Sequence, residues 1–213
     1  MRVLSVSVGL PQIVQTSEEG FVTTAIFKKP VEGRVRVAEL NLEGDAQADL
    51  RVHGGPSKSV YVYPGEHYEK WREEMPDHEF ETANFGENLT TEGLLETEVY
   101  IGDKLRIGTA EFAVTEPRMP CYKLGIRFGR KDILRKFLQS RRSGFYLTVL
   151  RLGDLKAGDE IEFMSRDENR VSVHDIVRLY VQDKDDIETM DRAINVEYLP
   201  ESWKGTFRER IYR

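Results

Sequence analysis

Two stretches of the 213-residue chain share one pattern: Ile101-Gly102-Asp103-Lys104-Leu105-Arg106-Ile107 and Leu155-Lys156-Ala157-Gly158-Asp159-Glu160-Ile161. Each sets a Gly-Asp turn before a run that alternates apolar and polar residues. Alternation at period two marks a strand with one buried face. Comparable runs cover residues 2–8, 21–27, 34–42, 59–63, 111–115 and 145–152. Short strands at this spacing predict a barrel or a sandwich, not a sheet of repeated βαβ units. Before residue 165 a helical period shows only in Pro64–Glu74 and Asp132–Leu138. Pro11–Gly20 reads as a loop, and Asn41–Leu50 as a polar connection.

Past residue 165 the period changes. Ser172-Val173-His174-Asp175 resembles a capping box, with Asp in the place of the usual Glu or Gln. Val173, Ile176, Val177 and Tyr180 follow at helical spacing. Ile187, Met190 and Ile194 mark a second helix. Pro200 opens a third, with Trp203, Phe207 and Ile211 spaced by four. Three short amphipathic helices cannot each bury a face alone, so they are expected to pack together or on the β domain. The expected division is 1–168 for the β domain and 169–213 for the three-helix module.

Composition narrows the function. With 39% hydrophobic and 32% charged residues the chain fits a water-soluble domain. No run approaches the about 18 apolar residues of a membrane span. The first residues are too short and too alternating for a signal peptide. A net charge of −6 argues against nucleic acid as a general partner. One cysteine cannot form an internal disulfide, which suits a cytoplasmic protein. The charge is uneven, however: residues 118–142 hold nine basic side chains and one acid, Asp132. Such a segment serves as a solvated helix face or as the surround of an anionic ligand.

The segment begins at Thr115-Glu116-Pro117-Arg118-Met119-Pro120-Cys121-Tyr122-Lys123, which contains the single cysteine. Two prolines bracket Met119, so neither a regular helix nor a central strand is expected to run through it. Cys121 is thus expected on a stiff loop past a strand end, flanked by Arg118 and Lys123. A nearby cation favours the thiolate, the form that attacks or binds metal; a cysteine also fills small apolar gaps. Upstream, His53-Gly54-Gly55-Pro56-Ser57-Lys58 reads as a tight loop entering a strand. Its paired glycines allow close approach of a ligand, and Lys58 can reach a phosphate. The same motif also suits an ordinary turn. His53 is a candidate proton donor, ligand or structural residue. Asn84-Phe85-Gly86-Glu87-Asn88-Leu89 reads as a compact loop of specified shape, whose asparagines either hydrogen-bond a heterocycle or serve the turn itself.

In order along the chain, His53-Gly54-Gly55 with Lys58 and Tyr61, Phe85-Gly86-Glu87-Asn88-Leu89, Ile101-Gly102-Asp103, Pro117-Arg118-Met119-Pro120-Cys121 and Gly144-Phe145-Tyr146 resemble the motifs of MOSC domains. These are the C-terminal domains of molybdenum cofactor sulfurases and their stand-alone relatives. The resemblance covers nearly the whole chain and is greatest to the bacterial YiiM-like type, in which three helices follow the barrel. It implies a mainly-β fold: a MOSC-like β-barrel with a few peripheral helices, then a small three-helix segment. It also implies the molybdenum cofactor, a pterin dithiolene carrying a phosphate, with Cys121 as the metal ligand; pyridoxal phosphate is not expected. The implied activity is reduction of small N-hydroxylated compounds such as 6-hydroxylaminopurine, a detoxifying oxidoreductase role. On this reading Cys121 and His53 are catalytic, and Lys58, Asn88, Arg118, Gly54, Gly55 and Arg142 hold the cofactor. A single cysteine cannot ligate an iron–sulfur cluster, so electrons are expected from a separate reductase, with the terminal helices as a docking site or a structural cap. The competing readings are a sulfur or cofactor carrier with a Cys121 persulfide, and a non-catalytic anion-binding barrel.

Overall fold

The computed structural model describes residues 1–16, 20–48 and 54–212. Among these, twelve strands and six helices are present. The strands are β1 (Arg2–Val8), β2 (Gln12–Thr16), β3 (Gly20–Thr24), β4 (Lys29–Pro30), β5 (Val35–Val37), β6 (Val60–Pro64), β7 (Leu89–Glu92), β8 (Lys104–Ile107), β9 (Ala110–Pro117), β10 (Phe145–Arg151), β11 (Gly153–Leu155) and β12 (Ile161–Ser165). The helices are α1 (Glu66–Glu74), α2 (Tyr122–Phe128), α3 (Asp132–Ser140), α4 (Val173–Val181), α5 (Ile187–Asn195) and α6 (Glu201–Ile211). Eight strands form one sheet in the order β12-β8-β9-β10-β6-β7-β1-β4. Every neighbouring pair is antiparallel except β6 and β7, which run parallel with α1 between them in sequence. The chain therefore contains one local β-α-β step inside an otherwise antiparallel architecture.

The mainly-β expectation holds, but no continuous ladder closes the sheet into a barrel. Its two sides are stitched where β1 meets the segment before β12: Val3 N donates to Asp159 O at 3.0 Å, Gly158 N to Val3 O at 2.8 Å, and Ile161 N to Met1 O at 3.0 Å. The Gly-Asp turns make this curl possible. Gly102 and Gly158 sit at φ 87° and 88°, where a β-carbon would be strained. In both turns the following aspartate accepts from the backbone three residues upstream, Asp103 from Tyr100 N and Asp159 from Lys156 N, each at 3.0 Å.

Three local expectations need correction. Within Pro11–Gly20, expected to be a loop, Gln12–Thr16 is a strand and pairs antiparallel with Gly20–Thr24. The run 34–42 forms a strand only at Val35–Val37, paired with β11, before the chain folds back so that Leu42 bridges Val37. The stiff loop around Cys121 is shorter than expected, because β9 continues through Pro117 and α2 starts at Tyr122. Pro117 is the last residue of β9, and a proline can end a strand because the ladder there needs no further donor.

Two apolar clusters organise the molecule. The larger joins sheet residues such as Val6, Leu89, Phe112 and Leu147 to Val173, Ile176, Met190, Trp203 and Phe207 of the terminal helices. These helices thus share the core of the sheet, consistent with their inability to stand alone. The smaller cluster is aromatic and centres on Phe85, whose ring lies 4.5 Å from Tyr63, 5.2 Å from Phe128 and 5.5 Å from Trp71. It ties α1, α2 and α3 to β6 and so fixes where Cys121 sits. No helix among the described residues is long and apolar enough to cross a membrane.

Candidate functional site

One end of the sheet opens into a cleft of ≈ 660 Å³, counted out to solvent. Cys121 and Lys123 reach it from the start of α2, Arg118 from the end of β9, and Tyr61 and Tyr146 from β6 and β10. Lys58 enters from the tight turn Pro56–Lys58. Lys28, Asp45 and Asn88 form the opposing wall.

Arg118 is the most constrained of these groups. It is only 6% exposed, and its guanidinium lies 5.3 Å from the Tyr61 ring centre and 5.1 Å from that of Phe137. Its Nη1 is buried without a hydrogen-bond partner. Burial alone lowers the pKa of Arg118, but Tyr61, Tyr146 and Cys121, which turn negative when they ionise at high pH, raise it above its ordinary value. Burial pushes Tyr61 well up and Tyr146 to about 12, against the pull of Arg118. Both tyrosines are therefore neutral hydroxyls at physiological pH, and Tyr61 donates to Ser143 O at 2.8 Å. Cys121 is half-buried and precedes the first turn of α2 with an extended backbone. Lys123 is buried, and no carboxylate among the described residues pairs with it.

The opposing wall is a connected network. Lys28 bonds Asp45 in a nearly closed ion pair. Burial lowers the Lys28 pKa, and Asp45 offsets part of that shift. Asp45 also accepts from Gly9 N at 2.9 Å and from Asn88 Nδ2 at 2.9 Å. Asn88 further donates to Ser7 O at 3.2 Å and accepts from Tyr61 N at 3.0 Å.

Of the residues expected at the site, Cys121, Arg118, Lys58 and Asn88 converge on the cleft. Asn88 does so with its amide already spent on protein partners. Gly54 and Gly55 lead into the Lys58 turn and do not line the cleft themselves. Arg142 is elsewhere: its guanidinium stacks 4.0 Å over Trp71 and binds Glu74 at 2.6 Å. His53 lies outside the described residues. The basic segment is likewise divided, with Arg118 and Lys123 facing the cleft while Arg127 pairs with Glu81 and Arg130 with Asp132. Lys28 and Asp45 were not expected. The available signal was Gly44-Asp45, another Gly-Asp step in a segment too polar to read as an element.

Among the described residues, no group of three or more His, Cys, Asp or Glu side chains is placed to hold a metal ion. The MOSC domain model matches residues 49–162, more than half of the chain. The chain belongs to the MOSC domain family. The model of the YiiM-like 3-alpha helix domain matches residues 171–212. The chain is 40% identical over 208 residues to YflK of Bacillus subtilis, covering 98% of this chain and 93% of that one. It is 33% identical over 163 residues to a protein of Gibberella moniliformis named reductase, covering 75% of this chain and 29% of that longer one. The crystal structure of YiiM from Geobacillus stearothermophilus superposes with a TM-score of 0.82 at 32% identity, covering 99% and 98% of the two chains.

Proposed function

We propose that this MOSC protein is a molybdenum-cofactor-dependent reductase of N-hydroxylated compounds, N-hydroxylated purines and related base analogues among them. The observation that carries the reading is the meeting of Cys121 and the unpaired, buried Arg118 Nη1 in one cleft. A buried polar atom without a partner calls for an explanation, and at the wall of an open cleft a bound anionic ligand supplies one. A phosphorylated pterin that binds metal through one protein thiolate requires that combination: a soft sulfur ligand and fixed cations for the anionic group. The family as a whole is associated with this cofactor, and a relative named reductase supports redox chemistry.

When bound, the cofactor supplies the two-electron chemistry by which R–NHOH, two electrons and two protons become R–NH₂ and water. The chain's own residues do the rest. Cys121 Sγ would hold the metal, and Arg118, Lys123 and Lys58 would hold the phosphate and other anionic groups. The neutral hydroxyls of Tyr61 and Tyr146 keep Arg118 in place without competing for its charge. Lys28 Nζ, held by Asp45 at the cleft wall, adds a further cation beside the bound group. A separate reductase delivers the electrons.

Molybdenum content tests the reading, measured on freshly purified protein from a cofactor-competent host beside Cys121→Ser from the same host. Near-stoichiometric metal in the wild type and none in the variant is expected. No metal in either, beside a loaded control enzyme, would overturn it and leave Cys121 to be studied as a persulfide carrier.

A further inference from the structure

Outside the cleft, a buried carboxylate joins three parts of the fold. Glu96 accepts from Gly144 N through Oε1 at 2.7 Å, and its Oε2 lies 2.7 Å from His67 Nε2 on α1. A carboxylate only accepts, so His67 is the donor of the second bond. The Glu96 carbonyl in turn accepts from His174 N, in the first turn of α4, at 2.9 Å. Gly144 is where this anchor meets the site. The β9–β10 ladder ends at the pair Phe145–Pro117. One step beyond it, Arg118 N donates to Gly144 O at 3.4 Å, and Tyr61 Oη donates to Ser143 O at 2.8 Å. Gly144 sits at φ 59°, and a β-carbon there would meet Val62 O at 2.3 Å. Two successive carbonyls, of Ser143 and Gly144, thus hold the cleft residues Tyr61 and Arg118. Glu96 binds the same segment without lining the cleft.

We infer that Glu96 is a positioning residue for the anion-binding side of the cleft: through Gly144 N it fixes the Ser143–Gly144 segment, and through that segment the placement of Tyr61 and Arg118. A buried N–H deprived of its acceptor is costly, so the segment shifts to satisfy it when Glu96 is lost. The rung from Arg118 N is long and lies past the end of the ladder, so it yields first. The guanidinium that follows it carries the buried, unpartnered Nη1 of the cleft. His67 secures the Glu96 side chain and α4 secures its backbone. The first helix and the three-helix module therefore both act on the site through one residue. The inference rests on the cleft being an anion site, as in the reading above, and does not depend on which metal, if any, occupies it.

The test is titration of the full chain with inorganic phosphate by calorimetry at low ionic strength. It compares the wild type, Glu96→Leu, Glu96→Gln, Arg118→Met and Glu96→Leu combined with Arg118→Met. The dissociation constant is the readout, because a purely structural loss lowers the number of competent sites and leaves the affinity of the folded ones unchanged. Glu96→Leu is expected to weaken phosphate binding by about three- to thirty-fold, within the coupling range of side chains in one hydrogen-bonded network. Gln keeps an oxygen for Gly144 N, so Glu96→Gln is expected to bind within about two-fold of wild type. In the Arg118→Met background, Glu96→Leu is expected to cost nothing further. Wild-type affinity in Glu96→Leu, equal weakening in Glu96→Gln, or equal losses in both backgrounds would overturn the inference. Where Arg118→Met binds too weakly to measure, the contrast between Leu and Gln decides. If Glu96→Leu does not fold, Glu96→Asp replaces it: its shorter side chain cannot span from His67 to Gly144 N, and wild-type affinity there overturns the inference. A wild type that binds no phosphate also overturns it. Molybdenum analysis bears separately on the reductase reading.

Discussion

Asn88→Ala should destabilise this protein severely, because one amide joins three parts of the fold. Its Oδ1 accepts from Tyr61 N, and its Nδ2 donates to Ser7 O and to Asp45 Oδ2. Truncation leaves the buried Tyr61 N–H without a partner, at a cost of about 1–3 kcal/mol. It also removes a bond to a charged acceptor, worth about 1.5–3 kcal/mol. Asp45 keeps Lys28 and Gly9 N, so the two losses do not add fully. A total of about 3–5 kcal/mol follows, a third or more of the stability of an ordinary domain. With a urea dependence of about 2–3 kcal/mol per molar, the midpoint falls by about 1–2 M. Trp71 and Trp203 are both buried, so tryptophan fluorescence reports the transition. A midpoint shift below about 0.5 M, with binding of phosphate lost at the same time, would refute this account. It would show Asn88 to be a ligand contact and not the knot of the wall.

Arg118→Met should separate binding from folding in the opposite sense. Met fills the space between Tyr61 and Phe137, and replacing a buried charge without a carboxylate partner by an apolar group is neutral or stabilising. Thermal stability is expected to hold or rise while phosphate affinity drops at least ten-fold; a destabilised variant with intact affinity would show the guanidinium to be structural. Glu87 predicts a pH dependence. Burial raises its pKa above the ordinary 4.5, against bonds from Tyr68, Thr90 and Phe85 N. The unfolded chain therefore releases this proton at lower pH than the folded one. In the window above pH 4.5 the native state binds more protons, so this group's contribution falls as pH rises through it. Urea midpoints of Glu87→Gln against wild type should converge at low pH and diverge in the variant's favour as pH rises; parallel curves would contradict the shift.

Much of this site could be read before any coordinates. The Gly-Asp turns declared themselves because a positive φ and an aspartate cap are local chemistry. Phe85 and its flanking Asn84 and Gly86 declared a shaped loop, and Cys121 stood out beside Arg118. The Lys28–Asp45–Asn88 wall stayed hidden, because its members come from three segments without period and meet only across the folded sheet. Gln12–Thr16 stayed hidden for a different reason. The strand pair it forms is mostly exposed, so burial imposes little alternation on it, and the neighbouring Pro11 and Gly20 signal a loop more strongly. The bond from His67 to Glu96 left no trace in sequence, since each residue suits its own segment without the other.

The stitching of β1 to residues 158–161 also sets a timetable for the nascent chain. β1 is among the first segments to leave the ribosome, yet its backbone partners at Gly158, Asp159 and Ile161 are made some 155 residues later. At roughly 5–20 residues per second, the N-terminal end of β1 waits on the order of 10–30 s before its partners at the seam exist. Through that interval an alternating strand with an open edge is exposed to other chains, the situation that favours chaperone capture over spontaneous pairing. The seam that curls the sheet thus forms late, once residues 158–161 have emerged.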